Sequence, residues 1–149
     1  MIGYFQVSVL CLTALGWMDA PNRTADRYKT CIAVGVEAEM HDLPASLVVA
    51  LSYTESRFTT GAVSDAGASG PLQVVPRFHC PDGKAKGCDL ITAGLRALKK
   101  YRKKYKRWPA ALCHWNSGNR CYRKSKLFAR IVLKRRLILT RALGDNDGH

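Results

Sequence analysis

A chain of 149 residues has room for one domain and is too short for two separate cores. With 47% hydrophobic residues it has the composition of a globular protein, which excludes a disordered chain. Twenty-four Lys and Arg face eleven Asp and Glu, a net charge of +13, so the partner is expected to be anionic: nucleic acid, an acidic membrane face or the acidic polymers of a bacterial envelope.

Residues 2–18 carry no charge. The run is short for a spanning helix and has the length of a signal-peptide core, with small residues at Ala14 and Gly16 for cleavage. No Lys or Arg precedes it, and Arg23, Arg27 and Lys29 follow it, a placement that argues against simple export. Residues 1–20 are therefore expected to form a signal, an anchor or a first helix. A helix is expected over 24–40, with Tyr28, Ile32 and Val36 in helical register. Pro44 opens the next helix at its first turn, and that helix ends near Ser56. Residues 59–70 are rich in Gly, Ala, Ser and Thr and are expected to be irregular. Asp89 is suited to cap a helix that carries Ile91, Leu95, Leu98, Tyr101 and Tyr105 at helical spacing. Pro109 starts a short helix through Trp115. A last helix is expected over 124–143, with Leu127, Phe128, Ile131, Val132, Ile138 and Leu139 along one broad apolar side, before a frayed tail over 144–149.

Six cysteines are many for this length. Cys80 and Cys88 bracket a polar, turn-rich loop, and Cys113 and Cys121 bracket another of the same span. Two local disulfides are the simplest account, and they fit an oxidising compartment. A zinc site built from these cysteines and His114 is the competing account, but the compact Cys-x2-Cys knuckle is missing. Cys31 reads as a small buried hydrophobe or as a partner of Cys11.

Glu55 carries the chemistry. At 100° per residue, Leu47, Val48, Leu51 and Glu55 share one side of their helix, so the carboxylate lies on the stripe that faces the interior. Desolvation and the negative end of the helix dipole both disfavour its ionised form, so a raised pKa and the role of proton donor are expected. The plainer alternative is a Glu that reaches solvent or pairs with Arg57.

The residues after it extend the pattern. Glu55-Ser56-Arg57-Phe58, then Ala62-Val63-Ser64, Gly67-Ala68-Ser69-Gly70, Gln73 and Pro76 stand in an order that resembles the soluble lytic transglycosylases and goose-type lysozymes. A second block, residues 111–118 with Trp115, Asn116 and Gly118, resembles that family's Ala-Leu-x-x-Tyr-Asn-x-Gly, and Gly94 falls in the helix where the family carries a Gly. The resemblance implies a mainly α, lysozyme-like domain over 21–143, with a small irregular β-hairpin or loop region beside the cleft. It also implies cleavage of the β-1,4 bond between N-acetylmuramic acid and N-acetylglucosamine in peptidoglycan. Glu55 would be the catalytic acid and base. Ser64, Gln73, Trp115 and Asn116 would meet the substrate, and Ser56 and Gly70 would support the site, with no metal or cofactor. Such a protein would be exported, periplasmic or virion-associated, with its first residues available as a membrane anchor.

Three residues depart from the family pattern. Pro71-Leu72 replaces an aliphatic-Met pair, which stiffens the loop, and Trp115 replaces a Tyr, whose hydroxyl accepts as well as donates where an indole N–H only donates. Two other functions remain open on the residues. Hydrolysis by a lysozyme would require a second carboxylate, for which Asp65, Asp82 and Asp89 are the nearby candidates. A catalytically silent cationic protein would use the fold to grip glycan. Residues 96–107 hold eight Lys or Arg, and 123–141 interleave cations with aliphatics, as expected for contact with an acidic envelope or membrane surface. Neither stretch has an aromatic platform for nucleic acid.

Overall fold

The structure, a computed structural model, describes residues 2–144. Seven helices occupy them: α1 (Tyr4–Leu15), α2 (Ala25–Met40), α3 (Ala45–Ser56), α4 (Pro76–His79), α5 (Leu90–Tyr105), α6 (Trp108–Ser117) and α7 (Arg123–Ala142), with a single 3₁₀ turn at Ala20–Asn22. Of the tail expected to fray, Gly144 is in a turn and 145–149 lie outside the described residues.

The hub is α3, and its sequence explains why. Every residue from Ala45 to Tyr53 is buried, so the stripe of Leu47, Val48 and Leu51 widens to the whole circumference. A short helix apolar on all sides belongs at the centre, and α1, α2 and α7 pack around it. Its N-terminus starts at Pro44, which has no side chain able to cap. Glu39 reaches over from α2 instead, and Oε1 accepts from the Ala45 amide at 3.0 Å while Oε2 accepts from the Ile2 amide at 3.2 Å.

The uncharged first segment forms α1. Val7, Leu10, Cys11, Ala14 and Leu15 turn inward into the same core as the other helices, and a disulfide joins Cys11 to Cys31 of α2. α1 is therefore packed with the helices that follow it, as the first-helix alternative for residues 1–20 describes. No helix among the described residues is long and apolar enough to cross a membrane.

The last helix corrects an expectation. Val132 and Leu139 are buried with Ala129, but Ser125, Arg136 and Thr140 complete the inner face, while Leu127, Ile131 and Ile138 are exposed. The broad apolar side is split because α7 lies against α1, α3 and α6 along a narrower contact than the sequence pattern suggests. The segment between α3 and α4 is as irregular as its composition implies. Two isolated antiparallel bridges, Val63 with Ser69 and Ser69 with Val74, are its only regular pairing among the described residues.

Candidate active site

The chain reverses sharply after α3. Arg57 and Phe58 both take left-handed backbone angles (φ 51° and 60°), and Phe58 is then buried edge-on against Tyr53, with ring centroids 5.9 Å apart. Two consecutive non-glycine residues in that region are strained, and the burial of Phe58 offsets the cost. The returning chain closes on Ser64, whose amide donates to the Ala68 carbonyl (2.9 Å) and whose hydroxyl accepts from the Ala68 amide (3.1 Å). Ser64 is exposed at this turn.

Gly70 then brings the loop against α5. Its φ is +81°, and a Cβ there would stand 2.9 Å from Leu90 Cδ1, so both conformation and space require glycine. Just beyond it the Pro71 carbonyl accepts from the hydroxyls of Ser52 (3.0 Å) and Ser56 (2.7 Å). Ser56 thus ties the loop to the helix that carries Glu55, and its support for the carboxylate is indirect. Gln73, also at positive φ (52°), turns its Nε2 back to the Ala62 and Gly70 carbonyls, each at 3.0 Å. Its amide nitrogen therefore braces the hairpin. Leu72 and Val74 pack over Gly94, the small residue on α5 that admits them: a Cβ at 94 would lie 2.7 Å from Leu72 Cδ1.

Glu55 is half-buried on the last turn of α3. Burial pushes its carboxyl up to about 7, against the opposing effect of one hydrogen bond, from Trp115 Nε1 to Oε2 at 3.1 Å. The pairing with Arg57 left open by the sequence does not form. The Arg57 guanidinium lies 5.9 Å from the Tyr53 ring centroid instead, and among the described residues no Lys or Arg pairs with a carboxylate. A carboxyl that titrates near neutrality is suited both to give and to take back a proton.

Trp115 therefore acts on the acid itself, as its hydrogen-bond donor. The sequence alone did not reveal this contact, since sixty positions separate the two residues. Nor did it reveal the ring network behind the indole. Tyr101 meets Trp115 edge-on (6.2 Å), Tyr101 stacks on Tyr105 (6.1 Å), and Tyr105 stacks on His114 (3.7 Å), locking α5 to α6. The signal was the four-residue spacing of Tyr101 and Tyr105, read only as a helix face. Asn116 is exposed beside Trp115 on α6. Past it, the Cys113–Cys121 disulfide and a 2.6 Å contact between His114 Nδ1 and the Gly118 carbonyl hold the turn.

The other carboxylates are engaged or distant in environment. Asp89 caps α5, accepting from the Thr92 amide (3.0 Å) and hydroxyl (2.9 Å), and that amide first of all holds its carboxyl below the usual range. Asp65 is exposed in the hairpin, and Asp82 is exposed in the loop closed by the Cys80–Cys88 disulfide. All six cysteines are in disulfides.

A family model described as the transglycosylase SLT domain matches residues 33–135, the stretch that holds Glu55, the hairpin, α5 and α6. No curated protein and no solved structure matches the chain significantly.

Proposed function

The chain belongs to the transglycosylase SLT domain family, whose activity is directed at peptidoglycan, and from that premise we propose that it is a lytic transglycosylase with Glu55 as its single catalytic carboxyl group. In this reading Glu55, protonated in its half-buried pocket, gives its proton to the glycosidic oxygen as the bond from C1 of N-acetylmuramic acid breaks. The N-acetyl oxygen of the same sugar holds the electron-poor C1. Glu55, now a carboxylate, takes the proton of the C6 hydroxyl as O6 bonds to C1. No water is consumed, and the product carries a 1,6-anhydro end.

The observation that carries this is the Glu55–Trp115 pair: a carboxyl held near 7 by burial and steadied by a donor that cannot itself accept a proton. Such a group serves as acid and base in turn at neutral pH. Hydrolysis with a second carboxylate is less supported, because Asp89 is committed to its helix cap and Asp65 and Asp82 sit on exposed loops. A silent binder would have no use for a carboxyl kept at a cost on the innermost helix. Substrate contact is assigned to Ser64, Gln73, Trp115 and Asn116 around that centre. In this reading the protein works outside the cytoplasm, in the periplasm or on a virion, and its three disulfides fit an oxidising compartment.

Mass spectrometry of fragments released from purified peptidoglycan tests the reading. The expected products are lighter by one water than hydrolysed ends, and Glu55→Gln is expected to lose at least about 10³-fold in rate while keeping fold and wall binding. Hydrated ends alone would refute internal attack, and an unaffected Glu55→Gln would refute the assignment of the acid.

A further inference from the structure

None of the 20 residues of α7 is acidic, and one side of the helix is exposed along its length. At about 100° per residue, Arg123, Arg130, Lys134 and Arg141 fall within about 40° of one another and make a row of cations about 27 Å long. All four are exposed, and among the described residues no Lys or Arg pairs with a carboxylate. Leu127, Ile131 and Ile138 make a second row about 60° further round the helix. They are 54%, 37% and 41% exposed, so aliphatic surface faces water beside the cations.

Apolar surface borders the cations on their other side as well. A cavity of about 430 Å³ between α6 and α7 is walled by Pro109, Ala110, Cys113, Cys121, Ala129 and Leu133, and its only charged lining residues are Lys126 and Arg130, both exposed. The cations of α7 therefore run between two apolar borders.

That arrangement selects the partner. An anionic polymer dissolved in water would meet the cations and leave both borders wet, so the aliphatic side chains would add nothing to its binding. An anionic phospholipid bilayer uses all three parts: phosphates face the cation row, and the aliphatic row and the cavity meet the acyl region just beneath the headgroups. Lys and Arg suit that depth, because their stems lie along apolar surface while the charge reaches the phosphates. On its other side α7 packs against α1, α3 and α6, so the helix is already formed and meets a membrane as a fixed part of the domain. Ser64, Gln73, Trp115 and Asn116, assigned above to substrate, are not part of this face.

We propose that the outward face of α7 docks on an anionic phospholipid surface, lying in the headgroup layer and holding the protein at the membrane without spanning it. The inference is independent of the reaction at Glu55.

Co-sedimentation of the intact, oxidised protein with lipid vesicles tests it. Binding is expected to vesicles of phosphatidylglycerol mixed with phosphatidylcholine, and at least about tenfold weaker binding to phosphatidylcholine alone. Arg130→Glu with Lys134→Glu is expected to weaken binding to the mixed vesicles at least about tenfold, while Lys99→Glu with Lys103→Glu, the same change of charge on α5, leaves it close to wild type. Leu127→Ser with Ile131→Ser keeps every charge and is expected to weaken binding at least about fivefold. Should circular dichroism show that the serine pair unfolds, the two charge pairs carry the test. Absence of binding to the mixed vesicles, equal binding to both vesicle types, or equal loss in the α7 and α5 charge pairs overturns the proposal. So does a folded serine pair that binds as wild type does, which would leave charge alone at work. Tighter binding of soluble polyglutamate than of vesicles, lost in the α7 charge pair, also overturns it and would make the face a surface for an acidic polypeptide.

Discussion

The two ends of α3 hold the same kind of liability and resolve it differently. At the N-terminal end the Arg136 guanidinium of α7 is 6% exposed, with Nε donating to Ser46 Oγ at 3.2 Å and Nη2 without a hydrogen-bond partner among the described residues. At the C-terminal end stands Glu55, half-buried, with Trp115 as its donor. Each charge faces the unfavourable pole of the helix dipole, a cation near the positive end and a carboxylate near the negative one. Burial pulls the Arg136 pKa down and pushes the Glu55 pKa up, both away from the charged form. Only the carboxyl can relieve the strain by changing its protonation within the working range of pH, because a guanidinium stays charged. The same penalty is therefore chemistry at one end and a plain cost at the other.

Removing each charge separates the two cases. For Glu55→Gln the largest effect on stability is expected, and it depends on pH. The folded value, about 7, is above the ordinary 4.5, so the protonated group's contribution is complete below about pH 4.5 and is lost as pH rises through 7. The variant should match wild type at pH 4 and exceed it by about 3 kcal/mol at pH 9 in urea unfolding. A constant difference across that range would mean that Glu55 is not ionising in a desolvated site.

The Glu55 end also depends on the loop docked over Gly94. Gly94→Ala places a methyl 2.7 Å from Leu72 Cδ1, and a loss of about 2 kcal/mol is expected together with slower cleavage, because Gln73 lies next to the displaced residue. Unchanged stability and turnover would show that the loop yields freely. At the other end, Arg136→Met, of similar length and uncharged, is expected to raise stability by about 1 kcal/mol. Strong destabilisation instead would mean that the guanidinium has a counter-charge in solution.

The finest test concerns the indole. Wild-type kcat/KM is expected to fall as pH rises through about 7, where Glu55 loses the proton it must donate. Trp115→Phe removes the donor that favours the carboxylate, so the falling limb should move to higher pH. A limb that stays in place would leave Trp115 a packing residue only.

Local physics made much of this legible in the residues. Pro44 and Asp89 mark helix starts, the apolar run before Glu55 announces an inner helix, and the signature from Glu55 to Pro76 points to the family whose model matches the chain. The Cys80–Cys88 and Cys113–Cys121 bridges follow from equal short spacings. All of these depend on residues within about two turns or one loop of each other, where backbone geometry leaves few choices.

What the tertiary structure decided lies across longer separations. It settled that α1 shares the core and that Cys11 finds Cys31. It split the apolar side of α7 into a buried and an exposed part, and it turned the Ser56 hydroxyl to Pro71. It brought Trp115 to Glu55 and buried Arg136 against Ser46. Periodicity fixes which residues share a face, but which face meets which neighbour depends on how the helices pack as a set, and no spacing within one segment encodes that.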